Sequence, residues 1–392
     1  MTQFPFSADV SLKTFMQDYW QKRPLFLQNV FKTSDFPVCR NEIFNLATRF
    51  DFVSRFIQEL DEEEPWIQTP GPFNKNDLIE RLEDTNWILL VQNTEWEIDS
   101  MHELLEHFRF IPNWRLDDVQ LSFSVMDGSA GPHVDSYDVF LVQLSGEKVW
   151  QIESQPITEK RSFIQDLNIQ VLESFDPDQE LIVKPGDILY LPPKIPHWGF
   201  AKNQCITASI GFKIPDEATI GHSFHKMAER LQWKPELYPD IDTSQIDDPG
   251  KVSKTVLDWF QNEMRLIVED RCYLAQVLCT GITHPQRDLD SSLFWHSPSA
   301  DLIHAELIKD VILLRQSPSV IVYHELDDGV AIYAMGEEII IGKDLKPLAQ
   351  LLTGRDELNY KSLSPYLENE DAMNLIMNLF QLGALIGSDP NH

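Results

Sequence analysis

Positive charge is what this 392-residue chain has least of: 32 Lys and Arg stand against 62 Asp and Glu, a formal net charge of −30. Such a surface opposes nucleic acid and anionic lipid and either favours basic partners, a cationic protein substrate among them, or serves solubility alone. Cysteine is sparse too, with Cys39, Cys205, Cys272 and Cys279 and no C-x-x-C pair. A disulfide-stapled scaffold is excluded, and reduced thiols in a cytoplasm are expected. No apolar run reaches the roughly 18–20 residues that span a bilayer, and the first twenty residues lack the basic, apolar and small-residue sections of a secretory signal. Neither membrane insertion nor secretion is expected. The absence of a Walker loop, a G-x-G-x-x-G and a G-x-S-x-G removes the usual phosphate cradles and the hydrolase elbow. What is plentiful is core material: 43% of residues are hydrophobic, with 23 Phe, 10 Trp and 9 Tyr. A chain of this length and composition reads as two or three globular domains.

Residues from about 8 to 110 read mainly as helices with short strands. Leu12, Phe15, Met16 and Tyr19 mark an amphipathic helix after Ala8-Asp9, and Asn41-Glu42 opens another that runs through Ile57. Leu89-Leu90-Val91 reads as a buried strand, and Ser100 as the cap of a helix to Phe108. From about 117 to 213 the pattern becomes short β-rich runs with Gly, Pro and Asp between them, Lys184-Pro185-Gly186-Asp187 for example, as in an antiparallel barrel or sandwich. Ser145-Gly146 reads as a two-residue hairpin turn, which places Gln143 opposite Lys148 and Leu141 opposite Trp150. Beyond Pro215 helical patterns return at about 218–232 and 252–280 around a Pro/Asp-rich connector. Leu257, Phe260, Met264, Ile267 and Val268 share one face there, as at an oligomer interface or an intramolecular contact. The last hundred residues alternate helix with short strands around Asp327-Asp328-Gly329, a small α+β module like a winged helix. From residue 286 onward seven basic residues face seventeen acidic ones, so direct DNA binding is not expected.

The chemical clue is Gly131-Pro132-His133-Val134-Asp135, joined far downstream by Pro196-His197-Trp198. Side chains alternate along a strand, so His133 and Asp135 point the same way and a later strand can bring His197 to them. Two imidazoles and a carboxylate on one side of a metal leave the other side open, as non-haem Fe(II) oxygenases require, whereas structural zinc takes four protein ligands. H-x-D is short, and surface or core histidines would give the same letters. Lys148 follows the predicted turn and is either a deep cation for the far carboxylate of a dicarboxylate co-substrate or an edge lysine reaching solvent beside Glu147. Thr207 and Ser209 alternate with Cys205 on a strand, their hydroxyls serving a ligand or the backbone. His222 and His225 lie three apart on a predicted helix with no third ligand in view.

The stretches Tyr19-Trp20-Gln21-Lys22-Arg23-Pro24-Leu25, Ile111-Pro112-Asn113-Trp114-Arg115-Leu116-Asp117-Asp118, Ser122-Phe123-Ser124-Val125 and Gly131-Pro132-His133-Val134-Asp135-Ser136-Tyr137-Asp138-Val139-Phe140 closely resemble the JmjC-domain ribosomal oxygenases, bacterial members especially. The resemblance implies an α+β multidomain chain: a cupin/JmjC double-stranded β-helix with a helical N-terminal part over 1–215, a helical dimerisation region over 216–288 and a winged-helix-like module over 289–392. It implies Fe(II) held by His133, Asp135 and His197, 2-oxoglutarate held by Lys148 with Thr207 in contact, and dioxygen as oxidant. The implied activity is hydroxylation of a basic ribosomal protein, an arginine of large-subunit ribosomal protein sixteen, by a cytoplasmic homodimer. Tyr137, Ser209 and Met126 are candidate substrate contacts. The loop Met126-Asp127-Gly128-Ser129-Ala130 is poorer in glycine than bacterial relatives would have it, which leaves histidine hydroxylation or a small-molecule substrate as alternatives on the same fold. A non-enzymatic metal-binding cupin scaffold is the third.

Overall fold

The computed structural model describes residues 10–60, 66–157, 162–164, 171–213, 220–221, 223–225, 252, 254–284, 299–315, 320–354 and 357–387. Two compact units make up the chain, Met1–Ile214 and Pro215–His392.

The first unit is built on two antiparallel sheets. Strands β1 (Leu25–Leu27), β2 (Ser54–Glu59), β3 (Trp66–Pro70), β4 (Trp87–Val91), β5 (Leu116–Ser124), β6 (Asp138–Ser145), β9 (Ile188–Leu191) and β11 (Cys205–Phe212) form an eight-stranded sheet ordered β1-β9-β6-β11-β5-β4-β2-β3. The other sheet has β7 (Lys148–Ile152) between β8 (Gln179–Val183) and β10 (His197–Ala201). These are the facing sheets of a cupin-type barrel, and β5, β6 and β11 are buried nearly throughout because both of their faces are covered.

Ser145-Gly146 does not close the expected hairpin. β6 pairs with β9 and β11, and β7 with β8 and β10, so Lys148 lies opposite Val183 and Ala201. The turn instead carries the chain from one sheet to the other. A hairpin and a sheet-to-sheet crossing use the same turn residues; which one forms depends on partners distant in sequence.

The N-terminal helices cover the large sheet. α1 (Leu12–Asp18) starts at Leu12, the first residue of the amphipathic stripe, capped by Ser11, whose hydroxyl accepts from the Thr14 N–H at 3.1 Å. α2 (Arg40–Ala47) stops at Ala47, and Ile57, read as helical, lies in β2, where Ile57 pairs with Gln68 and Ile88 in the neighbouring strands. Ser100 lies inside the helix Asp99–Glu106 instead of capping it, its hydroxyl donating to the Pro37 carbonyl at 2.6 Å. The Tyr19–Leu25 motif is a docking device: Trp20 stacks on Tyr190 with ring centres 5.8 Å apart, and fully buried Asp138 accepts from the Tyr190 hydroxyl at 2.6 Å and from Gln21 Nε2 at 3.1 Å. Phe15, Phe108, Phe140 and Phe212 fill the core around that contact.

In the second unit the helices Lys254–Glu269 and Arg271–Thr283 are followed by a helix Ala300–Ile308 and a three-stranded antiparallel sheet of Val322–Glu325, Gly329–Ala334 and Glu337–Gly342. The helices Lys346–Thr353 and Glu370–Gln381 pack on this sheet through Leu348, Leu352, Leu375, Ile376 and Leu379. His222, most of the helix expected over 218–232 and the connector over 235–250 lie outside the described residues.

Candidate metal centre and its cavity

His133 lies between β5 and β6 and forms one isolated bridge, not a full strand, with His197 at the start of β10. Each N–H of this pair donates to the other's carbonyl at 3.0 Å. The Lys194 N–H holds the Asp135 carbonyl at 2.8 Å, which draws the end of the H-x-D triplet toward the same strand. As a result the ligating atoms of His133, Asp135 and His197 all lie within 4.8 Å of one another. The two imidazole rings are 4.3 Å apart, and His197 Nε2 is 3.6 Å from Asp135 Oδ2. No other metal-sized cluster of His, Cys, Asp or Glu occurs among the described residues.

Hydrogen bonding sets both tautomers. His133 Nδ1 lies 2.8 Å from the Gly131 carbonyl and His197 Nδ1 2.9 Å from the Ile195 carbonyl. A carbonyl can only accept, so each Nδ1 donates to it and each Nε2 is the ring atom left for a metal. Burial first, then the neighbouring His133, pushes the His197 pKa down to about 4, which keeps that imidazole neutral near pH 7. Two imidazoles and one carboxylate on one side fit Fe(II) with open positions, and fall one protein ligand short of a structural zinc site.

The triad opens into a cavity of about 400 Å³ between the two sheets, which Lys148 also lines. Lys148 is only 3% exposed, with its Nζ 5.1 Å from the centre of the Trp150 ring. It has no carboxylate partner among the described residues; Glu147 reaches toward Lys184 instead, at 3.9 Å. Burial depresses the Lys148 pKa, so the ammonium sits where a ligand carboxylate would be strongly bound. This geometry excludes the edge-lysine alternative.

Thr207 is buried in the same wall, its hydroxyl donating to Gln143 Oε1 at 2.9 Å while Gln143 Nε2 donates to the Ser145 carbonyl at 2.8 Å. Ser209 and Tyr137 line the cavity as well. The Asp135 carboxylate, and then burial, holds the Tyr137 phenol protonated well beyond its ordinary range. Met126 stands apart, 51% exposed and outside the cavity lining. Arg55 and Gln120 line the cavity and Gln143 holds the Thr207 hydroxyl, site roles that the sequence reading assigned to none of the three. Arg55 was concealed because its stretch reads as helix; Gln143 carried a usable signal, a polar residue in the apolar run Val139–Leu144.

A family model described as the JmjC domain matches residues 103–220. The chain is 28% identical over 372 residues to the ribosomal protein uL16 3-hydroxylase of Escherichia coli, covering 94% of this chain and 95% of that protein. It is 29% identical over 281 residues to a probable ribosomal oxygenase of Haemophilus influenzae, covering 71% of this chain and 65% of that one. Among solved structures, the X-ray structure of E. coli YcfD superposes with a TM-score of 0.83 at 26% identity, over 98% of this chain and 100% of that one. The E. coli ribosomal oxygenase YcfD in complex with cobalt and 2-oxoglutarate superposes with a TM-score of 0.81 at 25% identity, again over 98% of this chain and 100% of that one. A facing-sheet barrel carrying a His-Asp-His triad thus contains the JmjC domain that the family model describes, and along nearly its whole length the chain is similar to these ribosomal oxygenases.

Proposed function

We propose that this chain is a 2-oxoglutarate- and Fe(II)-dependent hydroxylase of the cytoplasm that modifies a ribosomal protein, at an arginine of large-subunit ribosomal protein sixteen. One observation carries this reading: the cavity that holds the three ligating side chains also holds a buried ammonium that pairs with no carboxylate among the described residues. Fe(II), once bound, supplies the activation of dioxygen, and the overall reaction converts substrate C–H, dioxygen and 2-oxoglutarate into C–OH, succinate and carbon dioxide. The protein's residues bind, orient and exclude water. His133 and His197 would hold the metal through Nε2 and Asp135 through its carboxylate, the imidazoles fixed by Gly131 and Ile195. Lys148 would take the far carboxylate of 2-oxoglutarate, beside a Thr207 hydroxyl whose direction Gln143 sets. Val139, Leu141 and Trp150 give the cavity an apolar wall that keeps bulk water away. Tyr137 and Ser209 in the wall, and Met126 on the loop outside it, are the surfaces we assign to the substrate.

We further infer a homodimer, with 216–288 as the dimerisation region and 289–392 as a winged-helix-like module that does not itself bind DNA. The support is the row of exposed apolar side chains on the helix Lys254–Glu269, Leu257, Phe260, Met264 and Val268.

The test is intact-mass spectrometry of ribosomal protein sixteen incubated with the enzyme, Fe(II) and 2-oxoglutarate. One added oxygen that requires 2-oxoglutarate and disappears with His133→Ala is expected, and fragmentation places it on the modified residue. Succinate release without a modified protein would point to a small substrate and overturn the reading.

A further inference from the structure

The cavity is lined by a second cation besides Lys148, Arg55. Arg55 is the second residue of β2, and a row of cross-strand partners runs from it through Leu90 on β4 and Ser122 on β5 to Thr207 on β11. Four adjacent strands place Arg55 about 14 Å along the wall from the Thr207 backbone, away from the Lys148 end. Its guanidinium makes one hydrogen bond among the described residues, from Nη2 to Gln120 Oε1, and that bond is long at 3.3 Å. Arg55 Nε is buried with no acceptor. Nor does any carboxylate among the described residues pair with it, although Arg49, Arg109 and Arg115 each meet one. In a chain with 62 acidic and 32 basic side chains, an arginine left without a carboxylate beside the reaction cavity has spare donors aimed at something the protein does not provide. Arg55 is also close enough to act electrostatically on the Tyr137 phenol, so it faces the side of the cavity that we assign to substrate.

Gln120 narrows the choice of acceptor. Its Oε1 accepts from Arg55, which leaves Gln120 Nε2 as a donor next to the guanidinium. Two adjacent donor groups, one charged and one neutral, match the carbonyl oxygens that any extended peptide presents at regular intervals. The basic protein expected here has few carboxylates to offer and always has carbonyls.

We propose that Arg55, with Gln120 beside it, is a substrate-binding residue that takes a main-chain carbonyl oxygen of the peptide segment laid across the cavity mouth. The proposal rests on the protein-hydroxylase reading, and direct binding separates the two. The full-length enzyme loaded with Mn(II) and 2-oxoglutarate is titrated into a fluorescently labelled peptide of ribosomal protein sixteen spanning the target residue, and anisotropy gives Kd. Arg55→Gln should raise that Kd about tenfold or more, and Arg55→Lys, which keeps the charge but loses the fork, should fall between. The KM for 2-oxoglutarate and the melting temperature of Arg55→Lys should stay at wild-type values. An unchanged peptide Kd in both variants overturns the proposal, as does a rise in the KM for 2-oxoglutarate, which would make Arg55 a co-substrate ligand. If replacing the peptide's own Asp and Glu by Asn and Gln abolishes the difference between wild type and Arg55→Gln, the acceptor is a carboxylate and the carbonyl assignment falls. A wild-type enzyme that binds the peptide without oxidising it sinks the hydroxylase reading alone, and one that does not bind it sinks both.

Discussion

An ammonium buried as fully as that of Lys148 and facing no carboxylate among the described residues has a lowered pKa, because desolvation penalises the charged form. Only the charged form can grip a dicarboxylate. The affinity for 2-oxoglutarate should therefore be full below the lowered pKa and be lost as pH rises through it, earlier than an ordinary lysine would allow. Titration calorimetry of the Mn(II)-loaded protein across neutral to alkaline pH measures this. Lys148→Arg should remove that alkaline loss, since a guanidinium stays protonated, and Lys148→Ala should raise the KM for 2-oxoglutarate by roughly 10–100-fold, the value of a hydrogen bond to a charged group. The triad was legible at this scale because H-x-D and P-H-W combine rare ligating side chains with turn-forming neighbours. Arg55 was not, because an arginine between Ser54 and Phe56 has the letters of any surface residue. Its role comes from the strands beside it, which are distant in sequence.

Among the elements, the link between β6 and β7 differs most from its sequence reading, and it also has the sharpest mutational consequence. Gly146 has φ +65°, and a Cβ there would stand 2.3 Å from the Gln204 carbonyl oxygen. Gly146→Ala should destabilise the first unit by about 1–3 kcal/mol through backbone strain and that clash, seen as a lower urea midpoint with an unchanged slope. The glycine was visible in the sequence, but whether it served a hairpin or a crossing was not. Amphipathic helices were easier to read: the stripe of Leu257, Phe260, Met264 and Val268 follows directly from helical period. If it forms the dimer interface, Leu257→Glu with Phe260→Glu should halve the mass found by light scattering at micromolar concentration. A mass that stays dimeric would place the interface elsewhere.

At the scale of the whole molecule, composition offers two readings before any fold is known, a preference for basic partners or solubility alone, because −30 is a sum over the chain and needs no pairing information. The break near Pro215 was visible in the sequence as the place where strand patterns stop, whereas the wall that joins Thr207 to Arg55 needed the folded chain, since it is set by contacts between distant segments. The charge makes a prediction with two opposite arms. On the proposed reading a basic ribosomal substrate would be drawn toward the protein, whereas 2-oxoglutarate, a dianion, would approach against the field until it meets Lys148. Raising ionic strength from about 0.1 M to about 1 M shortens the screening length from roughly 10 Å to roughly 3 Å. The kcat/KM for the protein substrate should then fall severalfold while the KM for 2-oxoglutarate stays level or drops. Steady-state rates against sodium chloride measure both arms in the same samples, and general salt inhibition would worsen both together. A protein-substrate kcat/KM insensitive to salt would mean that the acidic surface serves solubility alone and takes no part in recognition.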